Sequence, residues 1–158
     1  MSRPDVEPHF REAGSGPGVV CLHSNASNSG QWRALIDLLA TDHHVLAPDL
    51  YGAGKSMEWP SDRQITLSEE VRFVEPVLAR AGEPFCLVGH SYGGAVALIA
   101  ALANPKRIGA LVLYEPTLFS LAENRRPSLG SVAGIRNAVR AAANALDAGD
   151  CDAAAGHF

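Results

Sequence analysis

Gly89-His90-Ser91-Tyr92-Gly93 fits the pattern G-x-S-x-G and carries more information about the fold than any other segment of this sequence. A short apolar run, Phe85-Cys86-Leu87-Val88, precedes it, and an alanine-rich run from Gly94 to Leu102 follows. The order strand, motif, helix is typical of a nucleophile elbow, a strained turn that exposes a serine hydroxyl at the end of a sheet. We therefore predict that Ser91 is a catalytic nucleophile.

Apolar runs on both sides of this motif alternate with helical patterns. The sequence predicts strands at Val19–Leu22, His44–Ala47, Phe85–Val88 and Ile108–Tyr114, with a further short strand around Phe10. It predicts a first helix at about 30–40 and a second that begins with a capping box at Thr66 and ends at Gly82. Two further helices are predicted, one directly after the motif and one at about 131–148. Such alternation predicts an α/β fold with a mostly parallel sheet, and the near-continuous apolar strands indicate helices on both of its faces. Pro76 lies inside the second helical pattern, so we expect a kink or an early break there.

Composition excludes several classes of function. The chain has 158 residues, is 47% hydrophobic and carries a net charge of −4, which suits a soluble globular domain. Its basic residues are dispersed, so no nucleic-acid partner is expected. No apolar run is long enough for a bilayer and no signal peptide is evident, so no membrane partner and a cytoplasmic location are expected. The three cysteines fit no zinc pattern, and we expect no metal and no other cofactor.

A serine nucleophile needs donors for the negative charge that develops on the substrate oxygen. One is expected to be the backbone amide of Tyr92, the residue after the nucleophile. The second is expected from residues 23–32, which follow an earlier strand and which we call the oxyanion loop. Asn25 is the preferred donor in this loop, through its backbone and also its side chain, and Ser24 is a further binding candidate.

Three segments together resemble the N-terminal part of the α/β-hydrolase superfamily. They are the oxyanion loop with Leu22-His23 at its start, the D-x-x-G-x-G-x-S stretch Asp49–Ser56, and Val88–Gly94. Their order and spacing extend the resemblance over about residues 10–120. One departure is Ser24, where the family usually has glycine, and serine fits only if the backbone avoids glycine-only angles. The resemblance implies that His23 is structural and that the catalytic histidine comes late in the chain.

The catalytic acid and base are harder to identify. Glu115 follows the strand ending at Tyr114, where some branches of the resembled family carry the acid, and it is our candidate. His157 is the only histidine after Ser91, and it follows no predicted strand. We therefore expect an incomplete hydrolase fold that lacks its last strands. Residues 1–119 would be the N-terminal part of the core, and residues 120–158 the start of a helical cap.

These observations leave three hypotheses. The first is a serine hydrolase that cleaves an ester or a related acyl or C–C bond of a small molecule, and that is inactive as this chain. The second is a non-catalytic remnant that binds a small ligand. The third is an aberrant complete enzyme that uses Ser91, Glu115 and His157. A serine nucleophile argues against the dehalogenase and epoxide-hydrolase branches, which use aspartate, and an open sheet edge predicts self-association.

Overall fold

The computed structural model describes residues 7–118 and 130–157, in which five strands form one sheet. The strands are β1 (Phe10–Ala13), β2 (Gly18–Leu22), β3 (His44–Pro48), β4 (Phe85–His90) and β5 (Ile108–Tyr114). Their order across the sheet is β1-β3-β2-β4-β5, and only the β1–β3 pair is antiparallel. The predicted mostly parallel α/β sheet is therefore confirmed. The carboxyl ends of β2, β4 and β5 lie at one edge, where parallel α/β sheets hold their ligands.

Helices cover both faces of this sheet, as predicted. A short 3₁₀ turn (Ser29–Trp32) leads into α1 (Arg33–Leu39), while α2 (Leu67–Arg80) and α3 (Tyr92–Ala103) complete this part of the chain. Two apolar cores result, because neighbouring residues of a strand point to opposite faces. Val20, Leu46 and Leu87 point to the face of α2 and α3. Val19, Cys21 and Val45 point to the face of α1.

The second helix shows how packing overrides a local signal. Its N-terminus has the predicted capping box between Thr66 and Glu69, and Gly82 follows its end with φ 77°. The helix continues through Pro76 to Arg80, so the predicted early break is wrong. Apolar residues on both sides of Pro76, among them Phe73 and Val77, are buried in the core. Their burial outweighs the one backbone hydrogen bond that proline cannot donate.

Strand β5 differs from the expectation of cover on both faces. It pairs with β4 alone among the described strands, and Val112 and Tyr114 are 50% and 59% exposed. An apolar groove of about 520 Å³ runs beside it on the α1 face. The residues that line this groove include Val19, Leu35, Leu39, Cys86, Val88 and Val112. Helix α1 therefore covers the middle of that face but leaves the β4–β5 side open.

The chain divides into two units, Met1–Thr117 and Leu118–Phe158. The second unit contains α4 (Gly130–Asp147) and α5 (Cys151–Ala155), which contact each other. Gly149 has φ 79° between them, and the Asp150 side chain caps α5 by accepting the Ala153 amide at 2.9 Å. The predicted boundary between residues 119 and 120 lies outside the described residues. No helix in the described ranges is both long and apolar enough to cross a bilayer.

Candidate active site

Ser91 occupies a strained turn between β4 and α3. Its φ and ψ are 52° and −115°, a conformation that residues with a Cβ rarely adopt. Main-chain hydrogen bonds hold it there: its amide donates to the Tyr114 carbonyl at 2.9 Å, and its carbonyl accepts from the Thr117 amide at 3.2 Å. The same carbonyl accepts the Gly94 amide at 3.0 Å. Backbone hydrogen bonds thus hold the turn that carries the serine side chain.

The glycines on either side of Ser91 are required by close packing. A Cβ added to Gly89 would lie 2.5 Å from the Gly93 carbonyl oxygen. A Cβ added to Gly93 would lie 2.4 Å from the carbonyl oxygens of both Leu22 and His23, at the end of β2. Residues 89–93, which we call the elbow, therefore pack directly against the start of the oxyanion loop, because neither glycine carries a side chain.

The two amides expected to bind an oxyanion, those of Tyr92 and Asn25, have no backbone partner within the described residues. The Tyr92 amide is the first of α3, where helix geometry provides no partner. Asn25 is exposed, and its amide makes no backbone hydrogen bond within the described residues. The Ser24 amide instead donates to Gln31 Oε1 at 3.0 Å. A cavity of about 180 Å³ is lined by Ser24, Asn25 and Tyr92, among others.

The backbone of the oxyanion loop accommodates serine at the position where glycine was expected. Ser24 is not among the non-glycine residues with positive φ, so it meets the condition set by the sequence. The one non-glycine residue of the loop with a positive φ is Ala26, two residues later, where φ is 52°. The Ser24 hydroxyl also donates to Gln31 Oε1, at 2.9 Å. Serine therefore adds a hydrogen bond that glycine could not make.

His23 is buried and uses both ring nitrogens within the structure. Its Nε2 accepts the Leu50 amide at 3.0 Å, so the ring proton lies on Nδ1, which donates to the Ser24 carbonyl at 2.7 Å. Burial lowers the pKa of His23 below its ordinary value, and the Ser24 carbonyl and Asp49 oppose this shift only in part. A neutral imidazole with both nitrogens occupied joins two loops and does not serve as the base for Ser91.

Asp49 anchors the far end of the oxyanion loop. It is 2% exposed, and its carboxylate accepts the amides of Ser29 at 2.6 Å and Lys55 at 3.0 Å. Burial raises the pKa of Asp49, but these amides outweigh it, and the net pKa lies below the ordinary value. Gly54 passes so close that a Cβ there would overlap the carboxylate. The Asp49–Ser56 stretch therefore anchors the oxyanion loop.

Glu115 lies at the same sheet edge as Ser91 but has no histidine partner there. It follows β5, is exposed, and has φ 45°. The imidazoles of His23, His43, His44 and His90 bond to other groups. No hydrogen bond joins the Ser91 hydroxyl to a described histidine. His157 lies in the second unit, two residues after the end of α5.

Gln31 and Glu70 lie near the site and were not predicted from the sequence. Gln31 Nε2 donates to His90 Nδ1 at 3.0 Å, so its side chain connects Ser24 in the oxyanion loop with the elbow. Glu70 in α2 is 2% exposed and accepts hydrogen bonds from Tyr51 and Tyr92. Nothing in the sequence marks Gln31. Glu70 carries a weak signal, since it lies four residues before Val74 and so interrupts the apolar face of its helix.

Comparisons with known proteins agree on the family. A family model described as the alpha/beta hydrolase fold matches residues 17–153. A haloalkane dehalogenase of Agrobacterium fabrum is 36% identical over 114 residues, which are 72% of this chain and 37% of that protein. A lipase of Mycobacterium tuberculosis is 34% identical over 116 residues, 72% of this chain and 43% of the lipase.

A solved structure shows the same likeness. The crystal structure of an epoxide hydrolase from Vigna radiata is 30% identical and superimposes with a TM-score of 0.62. The match covers 66% of this chain and 35% of that one. The chain thus spans less than half the length of the relatives that it matches here.

Proposed function

The chain belongs to the α/β-hydrolase fold family, and on that premise we propose that it carries the nucleophile and oxyanion hole of a serine hydrolase. The substrate would be a small molecule with an ester or a related acyl or C–C bond. The observation that carries this proposal is the backbone of Ser91, with φ of 52° at the carboxyl end of β4 and directly before α3. Together with ψ of −115°, this angle puts Ser91 in a sparsely populated region for residues with a Cβ, and such residues cluster at active sites.

The reaction would follow from this placement. The Ser91 oxygen attacks the carbonyl carbon of the substrate while the hydroxyl proton passes to a base, and the carbonyl electron pair moves onto oxygen. The amides of Tyr92 and Asn25 donate to that oxygen. The intermediate then collapses, the leaving group departs with a proton, and water hydrolyses the acyl-serine. One oxyanion donor of this kind is worth about 10²–10³ in rate.

The described residues place no general base in contact with the Ser91 hydroxyl. Serine is a weak nucleophile unless an adjacent base takes its proton. Among the five described histidines of the first unit, His23, His43, His44 and His90 bond to other groups, and His23 is also neutral and buried. The fifth, His9, directly precedes β1, which lies three strands away from β4 in the sheet. We therefore expect the 158-residue chain to turn over no substrate. Glu115 remains a candidate acid and His157 a candidate base, and their roles stay predictions.

Two measurements test the proposal separately. An alkyl fluorophosphonate, which forms an oxygen–phosphorus bond and releases fluoride, should modify Ser91 slowly but selectively when adducts are mapped by mass spectrometry. The other serines of the chain and a Ser91→Ala variant are the controls. Adducts spread over many serines, or none at Ser91 in the folded chain, would contradict a serine nucleophile. Turnover of p-nitrophenyl acetate above that of Ser91→Ala would instead contradict only the expected inactivity.

A non-catalytic, ligand-binding role is the second candidate. The observation that favours it is that no imidazole among the described residues of the first unit is bonded to Ser91. The cavity of about 180 Å³ beside Tyr92 would then hold a small ligand without reaction. Selective phosphonylation of Ser91 would count against this candidate, because a binding site gives no reason for one reactive serine.

Self-association through β5 also belongs to the proposal. The observation is that β5 has no partner strand on its outer edge among the described residues, and that Val112 on its open face is 50% exposed beside the apolar groove. Sedimentation velocity should show the average mass rising with concentration, and Val112→Lys should reduce this rise. A concentration-independent monomer would contradict it. The helical cap at residues 120–158 and the cytoplasmic location stay predictions.

A further inference from the structure

A buried carboxyl group lies beside the candidate site and has no role in the chemistry described above. Glu70 of α2 is 2% exposed. Its two oxygens accept from two different walls of the cavity: Oε2 from the Tyr51 amide at 3.3 Å, and Oε1 from the Tyr92 hydroxyl at 3.4 Å. Both tyrosines line the cavity, and Tyr92 directly follows the nucleophile.

Glu70 has no positive partner among the described residues. Its neighbour on α2, Glu69, pairs with Arg63 and Arg72. The titratable group that faces Glu70 from α3 is Tyr92, and the loop after β3 presents the Tyr51 amide. Burial raises the pKa of Glu70 to about 7, although both hydrogen bonds act in the opposite direction. The group therefore changes its charge near neutral pH.

The two forms of this carboxyl make different hydrogen bonds. As a carboxylate it only accepts, so the Tyr92 hydroxyl must donate to it. Once protonated, it keeps one accepting oxygen and gains an O–H that donates. The Tyr51 amide can only donate, so the accepting oxygen stays with Tyr51 and the new O–H is directed to the Tyr92 oxygen. The Tyr92 O–H group can then donate its hydrogen bond to another acceptor.

We propose that Glu70 is a positioning residue whose protonation sets the hydrogen-bonding role of Tyr92. When Glu70 is a carboxylate, the Tyr92 hydroxyl donates its hydrogen bond to Glu70. When Glu70 is protonated, the same hydroxyl can donate to an oxygen of the substrate in the cavity. The phenol keeps its proton in both states, because burial and the nearby Glu70 raise the pKa of Tyr92 to about 12. This inference rests on the proposed function, because it requires a substrate that reacts with Ser91. It assigns the cavity to substrates with an oxygen acceptor near the reacting carbonyl.

The experiment compares the wild-type chain with Glu70→Gln. The glutamine amide donates to Tyr92 and accepts from Tyr51, so it imitates the protonated acid at every pH. Ser91 phosphonylation is measured from pH 6 to pH 8.5 with a fluorophosphonate that carries an oxygen-rich alkyl chain. The rate ratio of Glu70→Gln to wild type should rise from about one to several-fold across this range. Glu75→Gln on the same helix is the control, and its ratio should stay flat. A flat ratio for Glu70→Gln would overturn the inference.

A second readout needs no reaction at Ser91. The Tyr92 ring-carbon signal of tyrosine-labelled chain is followed by NMR over the same range, and it should titrate with a midpoint near pH 7 in wild type but not in Glu70→Gln. A wild-type signal that does not move would overturn the inference. If Ser91 forms no adduct while Tyr92 titrates as expected, the proposed function fails and the Glu70–Tyr92 coupling stands.

Discussion

The elbow and the oxyanion loop face each other across the candidate site, yet they are held in different ways. In the elbow, main-chain bonds and side-chain-free glycines fix Ser91. In the oxyanion loop, side chains from distant parts of the sequence do this work: Asp49 binds the Ser29 amide, and Gln31 binds both Ser24 and His90. Main-chain atoms therefore hold the elbow, whereas side chains hold the loop. This difference predicts how each will respond to substitution.

The largest effect is expected where the two regions touch. Gly93→Ala places a methyl group 2.4 Å from two backbone carbonyl oxygens that cannot rotate away. We expect the free energy of unfolding to fall by about 3 kcal/mol or more, measured by urea denaturation. Gly134→Ala is the matched control, because its added Cβ meets nothing within 4 Å in α4. That variant should be stabilised by about 0.5–1 kcal/mol. Equal effects of the two would refute the packing argument.

The next effect tests the side-chain support of the oxyanion loop. Asp49→Asn turns an amide donor toward the Ser29 or Lys55 amide, and should cost about 2–3 kcal/mol at pH 7. The folded pKa of Asp49 is lowered, so its stabilisation is present above the unfolded value of 3.8 and is lost as the pH falls through the folded pKa. The deficit of the variant should therefore shrink in acid. Asp37→Asn, at an exposed site, should change little at any pH.

Glu70 is an exception to the rule that main-chain atoms hold the elbow, because its side chain in α2 contacts Tyr92, the residue after the nucleophile. Its folded pKa of about 7 exceeds the ordinary 4.5, so its favourable contribution is complete below pH 4.5 and is lost as the pH rises to 7. Glu70→Gln avoids this loss and should be more stable than wild type by about 2 kcal/mol at pH 8. At pH 4 the two should unfold at similar urea concentrations. A constant difference would show that Glu70 does not titrate with folding.

The smallest effect concerns Gln31, whose bonds are exposed to solvent. Gln31→Met should cost less than about 1 kcal/mol, because water replaces most of each exposed bond. It should nevertheless raise the hydrogen-exchange rate of the Ser24 amide several-fold, measured by NMR. Gln64→Met, on the surface before α2, is the control and should leave that amide unchanged. An unaltered Ser24 exchange rate in Gln31→Met would show that the bridge does not hold the loop.

The same division explains what sequence could foresee. The elbow was predictable, since five consecutive residues between a strand and a helix specify it, and so was the capping box at Thr66. The Gln31–His90 bridge joins positions 59 residues apart, and neither residue type signals the other. The exposure of β5 depends on which elements cover it, and its own apolar sequence gives no indication of this. The continuation of α2 through Pro76 could not be foreseen, because the local helix propensity of proline contains no information about the burial of Phe73 and Val77.

The main-chain bonds at Ser91 have an evolutionary consequence. They use only the amide and carbonyl of that residue, so the turn does not depend on which side chain it carries. A mutation at position 91 could therefore exchange one reactive group for another without disturbing the scaffold that presents it. In this architecture the backbone sets the position of the residue and the side chain sets its reactivity, so substitution at position 91 alters the second without the first.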